Sequence, residues 1–176
     1  LLESTYELRD QAGRPYRYAP EWARKRLPEL LPRILNQVRG TAQGLELALE
    51  HGWSYFLGGG MHHAMSFGGR GFCHFHDGLV GLRRLKAQGR LQRACIIDLD
   101  AHKGDGTAEL CQSDSSTVTL SVHMHKGWPL EGPERDAEGD LLPWFLPSDV
   151  DIPIQQGEEG QYLQKLEHGL KLMEGT

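Results

Sequence analysis

Cysteine is scarce in this chain. Cys73, Cys95 and Cys111 are too few and too scattered for a disulfide framework or a CxxC zinc site. A reducing, cytoplasmic setting is the simpler expectation. Long apolar runs are also missing: none approaches the roughly 18 residues of a membrane span, so no membrane role is expected. Basic charge is in deficit, with 19 Lys and Arg against 24 Asp and Glu and a net charge of -5. Without a basic footprint, no nucleic-acid partner is expected. The opening LLESTYELRD has neither a basic n-region nor an apolar h-region, and is not read as a signal peptide. Internal repeats and low-complexity tracts are lacking too.

What is present suits an ordered domain. Hydrophobic residues make up 39% of 176, and counting the 22 Gly in place of the 5 Tyr brings the apolar share to about 49%, ordinary for a globular fold and too high for disorder. The length suggests one domain. Two counts stand out, 22 Gly and 9 His, and seven of those His fall between His62 and His125.

Pro15, Pro20, Pro28 and Pro32 interrupt the first 32 residues. From Pro32, the residues Ile34, Leu35, Val38, Ala42, Leu45 and Leu49 recur at helical spacing, and Gly52 is a stop signal. Trp53–Leu57 reads as a short strand ending in Gly58, Gly59 and Gly60. A helix is expected from Asp77 to Gln88, with Leu79, Val80 and Leu85 facing inward. Ala94–Leu99 reads as a buried parallel strand, apolar on both faces. One or two helical turns at Thr107–Cys111 and a strand at Thr117–Val122 follow. Residues 126–149 read as a long loop, Val150–Ile154 as an extended piece, and a final helix starts near Glu158. That helix should carry Tyr162, Leu163, Leu166, Leu170 and Met173 on one face. Strands alternating with helices imply an α/β fold with a mainly parallel sheet. In such sheets ligands sit at the carboxyl ends of strands.

The chemistry-bearing segments all follow strands. In GGGMHHA (Gly58–Ala64), glycines let the backbone turn sharply before His62 and His63. These two imidazoles either border one cleft or are ordinary loop histidines. In IIDLDAHKGDGT (Ile96–Thr107), an apolar strand runs into Asp98, Asp100, His102 and Asp105. An extended chain would line up the first three, which are costly at a buried strand end unless paired or metal-bound. Carboxylate and imidazole suit Zn2+, Fe2+ or Mn2+. A helix-capping loop would account for Asp105 but not for the other three. In GGRGFCHFHD (Gly68–Asp77), Gly71 and Phe72 either face a ligand or belong to a loop with Phe72 and Phe75 in the core. His74 and His76 lack the further ligands a second metal would need.

In this order, GGGMHHA, the GFC loop and DLDAHKGDGT resemble the histone deacetylase superfamily, over roughly Val38 to the end. TVTLSVH and VDIPIQQG also fit. The bacterial and class IV type is the nearest variety, with its lead-in represented by Glu50, His51, Gly52 and Trp53. The resemblance implies a three-layer αβα, arginase/deacetylase-like fold, of which 1–176 would form part of a single catalytic domain. It implies a metal-dependent hydrolase acting on an acylated amine such as acetyl-lysine or an acetylpolyamine. Asp100 and His102 would hold Zn2+, with Fe2+ accepted by the same donors. His62 and His63 would be the tandem catalytic imidazoles, backed by Asp98 and Asp105 respectively. Gly71 and Phe72 would line the acyl channel. Asp98, Asp100, His102, Ser121 and Val122 would build a structural K+ or Na+ site. The long loop at 126–149 should shape the entrance, with Trp128 and Trp144 either rim aromatics or core plugs.

The family pattern contains more than these residues: a third ligand in a DPLG-like segment, a Tyr in a later Gly-rich loop, and an opening strand. An incomplete chain is therefore expected, with little activity alone and with uncovered sheet surface that favours homo-oligomers. His76 stands where the family has Asn or another small polar residue, and is expected to alter loop hydrogen bonding. Two other classes compete, an arginase-like di-manganese ureohydrolase and a non-catalytic binding module.

Overall fold

The computed structural model describes residues 27–130, 132, 134–142 and 144–175, so the expectations for Pro15 and Pro20 lie outside the described residues. The chain divides into two compact units, up to Gln92 and from Arg93 onward.

In the first unit, a 3-10 turn at Leu27–Leu30 leads into helix α1, Leu31–His51, with Pro32 in its first turn. Proline is tolerated there because its missing N–H has no helical partner in any case. Gly52 ends α1 in the left-handed conformation, its N–H returning to Ala48 O, as the sequence suggested. Helix α2, Asp77–Ala87, packs on α1. The approach is close at Gly81, where a Cβ would lie 3.2 Å from the Ala42 backbone. Leu79, Leu82 and Leu85 are buried, whereas Val80, expected inside, is 45% exposed. It lies two residues from Leu82, roughly 200° round the helix.

Trp53–Leu57 is not a strand. Its residues do alternate: Ser54 Oγ donates to Gly44 O at 2.6 Å and the Phe56 ring covers Gly40, while Trp53, Tyr55 and Leu57 face outward. The period of two is there, but a strand needs a hydrogen-bonded neighbour, and among the described residues none pairs with it.

The second unit holds a parallel sheet of three strands in the order β1 (Ala94–Asp98), β2 (Thr117–Met124), β3 (Val150–Ile154). Helix α3, Asp105–Cys111, joins β1 to β2, and helix α4, Tyr162–Met173, follows a 3-10 turn at Glu159–Gln161. Leu120, Val122, Val150 and Ile152 form the core, with Ile154, Tyr162, Leu166 and Met173 packed against it. Each such side chain contributes on the order of 2 kcal/mol by leaving water. Leu163, expected on this face, is exposed, one residue and so about 100° away from Tyr162. β1 also departs from its expected burial. Its residues alternate, and Ile97 is 45% exposed.

Register places the chemistry. Asp98 pairs with Ser121, and Ser121 pairs with Asp151, giving one polar row across all three strands.

Candidate functional site

The turn after β1 is built by aspartates. Asp98 Oδ1 accepts the Asp100 N–H at 3.0 Å, and Asp100 Oδ1 accepts the His102 N–H at 2.8 Å. Aspartate favours such turns because its short carboxylate reaches the backbone two residues on. The chain therefore leaves the extended conformation at Asp98, and the straight row expected of Asp98, Asp100 and His102 does not form. Asp100 and His102 meet nonetheless, with Oδ1 and Nδ1 2.9 Å apart and both side chains about half exposed. Donors that close are within reach of one cation whose bonds are about 2.0–2.1 Å long, and the donor types suit Zn2+ or Fe2+. Two donors are one fewer than a catalytic zinc site uses. Among the described residues no group of three or more His, Cys, Asp and Glu is arranged to hold a metal.

Beneath this turn, Lys103 is buried to 1% exposure. Its Nζ donates to Asp151 Oδ1 at 2.6 Å and Ser148 Oγ at 2.9 Å, and lies over the Phe145 ring at 5.4 Å. Gly104 N–H donates to Ser121 Oγ at 3.3 Å. A Cβ on Gly104 would sit 2.3 Å from Asp98 Oδ2, so any larger residue there would have to displace the Asp98 carboxylate. The polar row thus carries the turn. Asp105 opens α3, buried, with Oδ1 accepting the Gly106 N–H at 2.9 Å. His123 Nδ1 lies 3.0 Å from Ser121 Oγ and 3.2 Å from Ser121 O. Its Nε2 is buried with no hydrogen-bond partner among the described residues. Burial, and then the Lys103 charge, push the His123 pKa down to about 4, so the ring is neutral.

The loop after β2 brings the Trp128 ring to 6.0 Å from the His102 ring, edge-on. Trp144 stacks edge-on against Phe145 at 6.2 Å. The loop also borders an open cleft of about 750 Å3 lined by His125, Lys126, Leu130, Glu134 and Arg135 among others.

In the first unit, His62 and His63 lie side by side, ring centroids 3.8 Å apart and planes tilted by 42°; His63 is buried. Adjacent residues usually diverge, and here a tight turn closed by His62 N–H to Gly60 O at 2.9 Å redirects them. Gly71 and Phe72 both have positive φ, and Phe72 is half exposed rather than in the core; Phe75 is exposed too. His76 caps α2, its Nδ1 accepting the Leu79 N–H at 3.3 Å.

Sequence reasoning missed Asp77, Lys103, His123 and Asp151 as parts of these clusters. Lys103 had a signal, a lone cation between glycine and a candidate ligand. Asp77 and Asp151 had none, because their partners are far away in sequence.

Residues 24–172 match the histone deacetylase domain. The chain is 36% identical over 143 residues to an uncharacterized protein from Picosynechococcus sp., covering 81% of this chain and 43% of that protein. It is 31% identical over 136 residues to histone deacetylase 2 of Arabidopsis thaliana, covering 77% of this chain and 33% of that protein. A crystal structure of a histone deacetylase homologue from Aquifex aeolicus superposes with a TM-score of 0.69 at 24% identity, over 99% of this chain and 48% of the other. An acetylpolyamine aminohydrolase from Burkholderia pseudomallei gives 0.59 at 21% identity, over 78% and 41%. The chain belongs to the histone deacetylase domain family, with the parallel α/β fold its strand pattern suggested. It spans less than half the length of these relatives. No helix among the described residues is long and apolar enough to cross a membrane.

Proposed function

We propose that the full-length protein is a metal-dependent hydrolase that removes an acetyl or other acyl group from an amine. The observation that carries this reading is the pairing of Asp100 Oδ1 with His102 Nδ1 at the carboxyl end of β1. These two would hold the divalent ion, together with a third donor from outside the described residues. When bound, the ion supplies Lewis acidity towards the acyl carbonyl and a water.

The family resemblance assigns His62 and His63 as the tandem catalytic imidazoles. His63 takes a proton from water and returns it to the leaving amine, and His62 gives electrostatic support. Asp98 and Asp105 would each accept a hydrogen bond from one imidazole, fixing its tautomer. Gly71 and Phe72 would line the acyl channel. Asp98, Asp100, His102, Ser121 and Val122 would hold a structural K+ or Na+ ion. Acetyl-lysine and acetylpolyamines are the substrate classes this chemistry serves.

The test uses the full-length protein with an acetyl-lysine peptide and an acetylpolyamine. His63→Ala is expected to abolish turnover while bound metal stays at one transition-metal ion per chain. His102→Ala is expected to lower the metal content. Full activity in His63→Ala removes the acid–base assignment, and two Mn2+ per chain would point instead to a ureohydrolase.

A further inference from the structure

We propose that Asp77, at the start of α2, is a positioning residue for the tandem imidazoles, acting with Thr41 of α1 as a buried clamp on the backbone that leads into His62. The inference rests on the assignment of His62 and His63 above.

Asp77 is fully buried, at 0% exposure. Its Oδ1 accepts the Met61 N–H at 2.8 Å, and its Oδ2 accepts the Gly60 N–H at 3.1 Å and the Thr41 hydroxyl. One carboxylate thus fixes two successive peptide planes. The next residue, His62, closes back onto Gly60 O at 2.9 Å, so the constraint reaches the imidazole-bearing backbone directly. Gly59 shows how tightly the loop lies over the carboxylate. Its φ is +86°, and a Cβ there would sit 2.2 Å from Asp77 Oδ2 and 2.4 Å from Thr41 Oγ1.

The ordinary role of an aspartate at this place is to cap its own helix. His76 already does that, through its Nδ1 and the Leu79 N–H. The Asp77 carboxylate is turned instead towards the loop and towards Thr41, which lies 36 residues earlier. The glycine run makes the sharp turn, and the carboxylate removes the freedom those glycines would otherwise give it. Misplacing a catalytic group by about 1 Å can cost about 100-fold in rate, which is the scale on which such a clamp acts.

The test uses the full-length, metal-loaded protein with an acetyl-lysine peptide, and compares Thr41→Val, Thr41→Ser, Asp77→Asn and His63→Ala. Thr41→Val keeps the shape and removes the donor. Asp77→Asn sets an amide N–H against a backbone donor, that of Met61 or that of Gly60, whichever carboxylate oxygen it replaces. Both are expected to lower kcat about 10- to 100-fold with KM within about twofold, to move the acid limb of the kcat/KM pH profile, and to leave bound metal unchanged. Thr41→Ser, which restores the hydroxyl, is expected to recover most of the wild-type rate. Histidine side-chain NMR reads the same point without turnover: the His62 and His63 ring resonances should shift in Thr41→Val and return in Thr41→Ser.

Wild-type kcat, pH profile and ring resonances in Thr41→Val overturn the proposal. So does a lower melting temperature with kcat and pH profile unchanged, which marks a merely structural contact. If Asp77→Asn fails to fold, the two Thr41 variants still decide. Full activity in His63→Ala sinks the assignment of the imidazoles. An inactive His63→Ala beside a fully active Thr41→Val sinks the clamp alone.

Discussion

Phe72 occupies a conformation that bulky side chains avoid. Its φ is 65°, and it is the non-glycine residue with positive φ among those described. The left-handed region costs an L-residue about 1–2 kcal/mol. Strain of that size persists where the surroundings enforce it, and it clusters at sites that hold ligands. Half-exposed at 46%, the ring does not recover the cost through core packing. The proposed role as a channel wall explains why an aromatic residue stands where glycine would be more comfortable. Phe72→Gly should therefore separate stability from function. The melting temperature should hold or rise, because glycine takes this φ without penalty. KM for the acyl substrate should rise about tenfold, the equivalent of losing about 1.4 kcal/mol of aromatic contact. Phe72→Ala, which keeps the strain and loses the ring, should melt below Phe72→Gly. Equal KM values in Phe72→Gly and wild type would take Phe72 out of the channel.

At the scale of elements, α4 meets the sheet through a glycine. A Cβ on Gly169 would lie 2.9 Å from Leu120 Cδ1 and 3.0 Å from Ile152 Cγ1, so helix and sheet approach closely there. Gly169→Leu should push α4 away and cost about 1–3 kcal/mol, read as a lower urea midpoint. An unchanged midpoint would mean that α4 is held elsewhere. The fold was legible where its signals are local. Gly52 and Gly89 mark the ends of α1 and α2, and the apolar runs at β1 and β2 mark those strands. It was less legible where burial depends on partners. Val80 and Leu163 are apolar yet face away, and Trp53–Leu57 alternates like a strand without a neighbour among the described residues. The site divides in the same way. Spacing picked out Asp98, Asp100 and His102 as a row, whereas the turn that brings Asp100 to His102 arises from side chain-to-backbone bonds that spacing alone does not distinguish from a straight strand. Asp77 could not be linked to Thr41 at all before the helices were packed.

For the molecule as a whole, the polar layer beneath the Asp100–His102 turn ties stability to pH. His123 is 1% exposed and faces Lys103, Asp151, Asp98 and Ser121. Burial and the Lys103 charge depress its pKa from 6.5 to about 4, against smaller upward pulls from Asp151, the Ser121 backbone and Asp98. The unfolded chain therefore takes up a proton near pH 6.5, while the folded chain resists until about pH 4. Between those values the unfolded state binds more protons. The contribution is intact above pH 6.5, fades as pH falls through the window, and is gone below about 4. Its full size is on the order of 3 kcal/mol. His74, also lowered by burial, acts in the same direction. Glu158, Glu159 and Glu167 have lowered pKa values too, but their contributions are lost only below their ordinary 4.5, so the range from pH 6.5 to 4.5 isolates the imidazoles. Urea midpoints measured across that range should fall steeply for wild type and less steeply for His123→Asn, whatever that variant's stability at pH 7. Parallel slopes for the two proteins would mean that His123 is not the group that titrates on unfolding.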